Sequence, residues 1–157
     1  MKMKSLVLPI LAALALSLPA LAAEKKVAGP NGGRILTSVD PRAEFFVTPD
    51  RKVQITFVGA DGKPVAPTEQ VVTVTAGDRA APTKLTFVKT GNALVSNAAL
   101  PAGNDFPTVV QIKPTPGAKT VTERFNLDLA FCDECKHAEY ACTCAEHAPH
   151  ASDEKKK

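Results

Sequence analysis

The chain has 157 residues and a nearly balanced charge, with 19 Lys and Arg residues against 16 Asp and Glu residues and a formal net charge of +3. Its basic residues are scattered, whereas a nucleic-acid-binding surface normally shows a basic stripe. The basic run at 155–157 follows two acidic residues. We therefore expect no nucleic-acid partner and interpret residues 151–157 as a disordered charged end.

The first 23 residues have the layout of a cleaved secretory signal peptide. Lys2 and Lys4 precede an apolar run, and the small residues Ala20 and Ala22 mark the cleavage region. The apolar run is too short to span a bilayer. We expect a mature protein that is not membrane-spanning and that resides in the periplasm or is secreted.

Residues 24–33 form a predicted N-terminal loop, and residues 34–131 form one predicted β-domain. Apolar residues alternate with polar ones at a period of two, as at Val53, Ile55 and Phe57, and turn signals separate the alternating stretches. No stretch shows amphipathic helical spacing. The pattern predicts an all-β fold, a single immunoglobulin-like antiparallel β-sandwich with a Cys/His-rich C-terminal tail. The predicted strands lie at 34–36, 44–47, 53–57, 71–75, 84–88, 93–95, 108–112 and 121–131.

Two glycine-containing motifs lie in the N-terminal half, Gly29-Pro30-Asn31-Gly32-Gly33 and Asp61-Gly62-Lys63-Pro64-Val65. Over residues 29–74 the chain resembles small exported proteins and N-terminal segments of periplasmic adaptor subunits of heavy-metal efflux systems. Those segments often carry Gly-Pro-His-Gly-Gly before a β-domain. The resemblance implies a role in metal stress, with an efflux or envelope protein as partner. Asn31 stands where those segments have the histidine. Only Gly29, Pro30, Gly32 and Gly33 match the motif, and the resemblance implies that they set the shape of the loop.

All four cysteines lie in the C-terminal tail, residues 132–150, as a Cys-x2-Cys pair followed by a Cys-x-Cys pair. The first pair has the spacing of a knuckle, and the second places both side chains on one side of an extended segment. Thiolates bind zinc and copper(I), and neutral imidazole is a further common ligand. The tail therefore predicts a site for zinc or copper(I). Its candidate ligands are Cys132, Cys135, Cys142 and Cys144, with His137, His147 and His150 as auxiliary, exchange or second-ion ligands.

Two other interpretations of the tail stay open from the sequence alone. An even number of cysteines in an exported protein usually forms disulfides. Two disulfides between the cysteine pairs would cross-link the tail, and the β-sandwich would bind an envelope partner. Redox exchange is a third interpretation, although no βαβ pattern surrounds the Cys-x2-Cys pair. Because no catalytic fingerprint appears, we expect a protein that is not an enzyme.

Overall fold

A computed structural model describes residues 26–144 and shows an all-β architecture. In this part of the chain, no helix is long and apolar enough to cross a membrane. The all-β prediction is confirmed. The elements are β1 (Arg34–Leu36), β2 (Arg42–Val47), β3 (Lys52–Val58), β4 (Pro64–Val65), β5 (Val71–Ala76), β6 (Thr83–Thr90), β7 (Ala93–Ala99), β8 (Asp105–Lys113), β9 (Val121–Asp128) and a 3-10 turn, η1 (Glu139–Ala141).

The strands form one continuous antiparallel sheet in the order β1-β2-β3-β7-β6-β5-β8-β9, with β4 paired to β3 beside this path. β6 makes the corner, because residues 83–86 pair with β5 whereas residues 87–90 pair with β7. The sheet thereby folds over on itself into a barrel-like body. The predicted antiparallel β-domain is confirmed. The immunoglobulin-like arrangement is not confirmed, because β6 links the two halves into one sheet.

The core lies inside this folded sheet and follows the alternation of the sequence. Val53, Ile55 and Phe57 on β3 are fully buried, and each such side chain contributes about 1.5–3 kcal/mol. Across the core, the ring of Phe45 on β2 meets the ring of Phe125 on β9 edge to face, with centroids 5.2 Å apart. The β1–β2 end of the sheet and its β9 end are therefore joined by side-chain packing.

The last strand is shorter than the alternation predicts. β9 ends at Asp128, where the Asp128 carboxylate accepts a hydrogen bond from the Ala130 N–H at 2.8 Å and turns the chain. Phe131, the last residue of the predicted strand 121–131, is 61% exposed. Because of this turn, the segment that carries the cysteines leaves the sheet three residues earlier than expected.

Candidate metal centre

The first cysteine pair lies in a tight turn immediately after β9. The Cys132 N–H donates to the His137 carbonyl at 2.8 Å, and the Lys136 N–H donates to the Cys132 carbonyl at 3.0 Å. Lys136 closes the turn with a φ of 60°, in the left-handed region that favours glycine. We call residues 132–137 the cysteine turn. Its backbone bonds place Cys132 and Cys135 on the same side of the loop.

The second cysteine pair follows η1, which brings the chain back past the cysteine turn. The Cys142 N–H donates to the Glu139 carbonyl at 3.1 Å, and the backbone then becomes extended, with Cys142 at φ −59° and ψ 132°. Side chains two residues apart in an extended segment point the same way. Cys142 and Cys144 therefore both face the cysteine turn, and the Cys144 N–H contacts the Cys142 Sγ at 3.4 Å.

The four Sγ atoms converge on one point and all lie within 4.8 Å of one another. Cys142 Sγ lies 3.6 Å from Cys132 Sγ and 3.6 Å from Cys135 Sγ, and Cys132 Sγ lies 3.8 Å from Cys144 Sγ. Metal–sulfur bonds of about 2.3 Å in a tetrahedron place sulfurs about 3.8 Å apart. A disulfide would need about 2.05 Å. All four thiols are free, and their spacing fits one tetrahedral ion.

The sulfur group is buried on one side and open on the other. Cys132 and Cys142 are buried, whereas Cys135 and Cys144 are partly exposed. The buried pair faces the β-body and fixes the position of the group. The exposed pair leaves a route by which an ion reaches the sulfurs from solvent.

The protonation of the cluster is uneven. Desolvation disfavours the Cys135 thiolate, but hydrogen bonds from the Thr143 and His137 amides and from neighbouring thiols outweigh it and lower the pKa of Cys135 to about 6. Desolvation is the main cause that raises the pKa of Cys142. The hydrogen bond with Cys142, followed by desolvation, raises the pKa of Cys144. At neutral pH the metal-free cluster therefore holds a thiolate at Cys135, and a bound cation must displace the protons of Cys142 and Cys144.

His137, one of the three predicted histidine ligands, is placed differently from the cysteines. Within residues 26–144, the group that converges consists of the four cysteines and does not include His137. The His137 Nδ1 atom instead lies 3.1 Å from the position that a Cβ on Gly32 would take. This imidazole packs against the N-terminal loop. His147 and His150 lie outside the described residues, so their assignment stays a prediction.

Tyr140 anchors the cysteine segment to the β-body. Its hydroxyl accepts a hydrogen bond from the Val47 N–H at 3.0 Å, and its ring packs edge to face on Phe45 at 5.9 Å. Desolvation raises the pKa of Tyr140, which therefore stays neutral. The sequence alone does not reveal this contact, because the register between the tail and β2 is a tertiary property.

The N-terminal loop wraps around a buried carboxylate that sequence reasoning missed. Glu44 is fully buried, and it accepts hydrogen bonds from the Asn31 N–H at 2.8 Å, the Asn31 Nδ2 at 2.7 Å and the Gly33 N–H at 2.8 Å. A Cβ on Gly29 would lie 2.4 Å from the Glu44 Cδ, and one on Gly33 would lie 2.3 Å from the Phe45 carbonyl oxygen. The glycines thus serve close packing around Glu44. A carboxylate flanked by the apolar residues Ala43 and Phe45 on β2 was the available signal.

Comparison of the chain with protein-family models, curated proteins and solved structures gives no match. The similarity to efflux adaptors stays a prediction that depends on short motifs. The functional argument accordingly depends on the four sulfurs and on the residues that hold them.

Proposed function

We propose that this protein is an exported metal-binding protein that holds one soft transition-metal ion between Cys132, Cys135, Cys142 and Cys144 and serves in metal handling or resistance. The observation that carries the proposal is the convergence of the four Sγ atoms within 4.8 Å of one another, with three of their distances at 3.6–3.8 Å. Four thiolates at tetrahedral separations are typical of zinc sites. Zinc is therefore the favoured ion, and copper(I) is the second candidate.

A site with four protein ligands has no open coordination position, which is the arrangement of structural rather than catalytic zinc. Such a site retains its ion and couples metal binding to the folding of the ligand segment. The partial exposure of Cys135 and Cys144 allows exchange from the solvent side. His147, three residues after Cys144 in the sequence, is the candidate exchange ligand.

The export part of the proposal is supported by the N-terminal signal pattern. In an oxidising compartment, free thiols this close together would be prone to oxidation, and a bound ion prevents it by occupying all four sulfurs. An efflux or envelope protein that delivers or receives the ion is the partner that the resemblance to adaptor subunits implies.

Native mass spectrometry of protein isolated from its own cellular compartment tests this function. We expect one zinc ion per chain and four thiols that become titratable only after the protein is denatured with a chelator. Two disulfides and no bound metal would contradict the proposal. That result would support the alternative function, an envelope protein-interaction domain with a disulfide-stapled tail.

A further inference from the structure

A cleft of about 310 Å³ lies between the N-terminal loop, the β2–β3 hairpin and the cysteine turn. We call it the basic cleft, because the charged residues among its described lining are Arg51 and Lys136, and no carboxylate belongs to that lining. The imidazole of His137 also lines the cleft. The rest of the lining combines the polar residues Asn31 and Thr48 and the backbone of Gly32 with an apolar wall formed by Phe46, Val47, Leu129, Ala138 and Tyr140.

Arg51 and Lys136 share an unusual backbone conformation. Within residues 26–144 they are the two non-glycine residues with positive φ, at 61° and 60°. Glycine adopts this conformation without steric cost, whereas a residue with a Cβ is strained. Two separate turns therefore carry a cation where glycine would be unstrained, and both turns line the same cleft. Strained residues of this kind cluster at ligand-binding sites.

Contacts within the protein use only part of the binding capacity of the Arg51 and Lys136 side chains. The Arg51 guanidinium donates to the carbonyls of Pro101 at 2.6 Å and Gly103 at 2.5 Å, and to the Asn104 Oδ1 at 3.3 Å. Three of its five N–H donors are thus engaged. Lys136 Nζ lies 6.0 Å from the centroid of the Phe131 ring.

Neither cation is neutralised by a carboxylate in the part of the chain that the structure describes. The ion pairs there join Lys52 to Asp50 and Lys63 to Asp61. The basic cleft therefore combines two cations that lack a carboxylate partner with a partly apolar wall.

We propose that the basic cleft binds a small organic carboxylate with an apolar body. The carboxylate group lies between Arg51 and Lys136, and the body packs on Phe46 and Tyr140. The volume is at the lower end of the range for small-molecule sites, and an apolar pocket with a few converging polar groups is their usual composition. This site goes beyond the metal centre, although it requires the cysteine turn to be folded.

Lys136 has a competing explanation that the experiment must separate. It follows Cys135 directly, and four thiolates around a divalent ion carry a net charge of −2. Lys136 would then serve the metal centre by offsetting this charge. Substitution of Lys136 would in that case weaken zinc binding, with no carboxylate ligand involved.

A titration of the zinc-loaded protein followed by nuclear magnetic resonance tests the basic cleft. The probes are benzoate, its neutral counterpart benzyl alcohol, and inorganic phosphate. We expect benzoate to shift the amide signals of Asn31, Gly32 and residues 136–140. Removing the negative charge or the apolar body should weaken binding, so benzyl alcohol and phosphate should each bind roughly five-fold more weakly than benzoate.

Three variants give the matched comparison, and each is first checked for one bound zinc ion. Lys136→Gln should weaken benzoate binding about five-fold, whereas Lys84→Gln, at an exposed position on β6, should leave it unchanged. Lys136→Gly should weaken binding to the same extent and yet raise the melting temperature, because it relieves the positive φ.

Four results would overturn the proposal. They are the absence of benzoate shifts at the cleft, equal affinity for benzyl alcohol, equal affinity for phosphate, and unchanged benzoate affinity in Lys136→Gln. The proposal would also be overturned if the wild type binds no benzoate and the Lys136→Gln variant loses zinc. That result would assign Lys136 to the metal centre. Failure of the wild type to bind zinc is a separate result, and it contradicts the proposed function.

Discussion

The Tyr140 hydroxyl accepts a hydrogen bond from the backbone N–H of Val47, with a nitrogen–oxygen distance of 3.0 Å. Val47 ends β2, and Tyr140 lies two residues before Cys142. This contact joins the segment that carries the sulfurs to the β-body. The cysteine segment is therefore a docked part of the domain, not a free appendage, and the metal centre and the body should stabilise one another.

Replacing Tyr140 with Phe should lower the free energy of unfolding by about 1–2 kcal/mol, because the Val47 N–H loses its acceptor at a partly buried site. The four sulfurs stay in place, so zinc stoichiometry should not change. Urea unfolding of the zinc-loaded variant and wild type measures the difference. Unchanged stability would show that the hydroxyl does not hold the segment in solution.

Zinc removal should change the environment of Tyr140. It is the single Tyr of a chain with no Trp, so tyrosine fluorescence and the near-ultraviolet circular dichroism report on it with few other contributions. Chelation should loosen the packing around Tyr140, reduce the near-ultraviolet signal and leave the far-ultraviolet β-sheet signal in place. A spectrum that is identical with and without zinc would mean that the segment docks without its ion.

His137 and the cysteines should respond differently to substitution. Cys142→Ser should weaken zinc binding by at least about 100-fold, since even losses outside the ligand set cost about 10–100-fold. His137→Ala should change zinc affinity by less than about three-fold, because its imidazole faces Gly32 and not the sulfurs. Competition with a chromophoric chelator measures both affinities. A His137→Ala loss as large as that of Cys142→Ser would make His137 a ligand.

The lowered pKa of Cys135, about 6, predicts selective alkylation of the metal-free reduced protein. An unperturbed cysteine has a pKa of about 8.5, so Cys135 should be the first thiol to react with iodoacetamide at neutral pH. Its reaction rate should fall as the pH is lowered through about 6, where the thiolate is protonated. The stabilisation that this thiolate contributes is full above the ordinary pKa and is lost over the same descent. Mass spectrometry of the modified peptides gives the rates, and a zinc-loaded sample, in which Cys135 should be protected, is the control.

Gly33→Ala should destabilise the domain by more than about 2 kcal/mol, because its Cβ would lie 2.3 Å from the Phe45 carbonyl oxygen. Gly117→Ala is the matched control, since nothing lies within 4 Å of its Cβ position. That variant should change stability by less than about 0.5 kcal/mol. Equal effects of the two substitutions in thermal unfolding would show that the N-terminal loop does not pack tightly around Glu44.

Much of the β-body could be predicted from the sequence because the inward faces of its strands are mainly apolar and alternate with outward-facing residues, as on β5 and β8. β1 has its predicted bounds, and Val53, Ile55 and Phe57 share the buried face as expected. The sharing of β6 between the two halves of the sheet could not be predicted, because the residues of β6 carry no signal for a change of partner. β9 ends earlier than predicted because the Asp128 carboxylate competes with strand pairing for the Ala130 N–H.

For the candidate site, the spacing of the cysteines was sufficient to predict a common sulfur group. The orientation of His137 was not predictable, because it depends on the left-handed turn at Lys136 and on the distant Gly32. The buried Glu44 and the docking of Tyr140 on β2 likewise involve residues far apart in the sequence. Periodicity and spacing describe only local geometry, so they cannot predict contacts of this kind.

The zinc X-ray absorption spectrum of the loaded protein tests the central claim most directly, because it counts the donor atoms around the ion. The four converging Sγ atoms predict a shell of four sulfurs at about 2.3 Å with no nitrogen donor. A shell that contains imidazole nitrogen in place of one or more sulfurs, or a preparation in which the cysteines form disulfides and no zinc is retained, would contradict it.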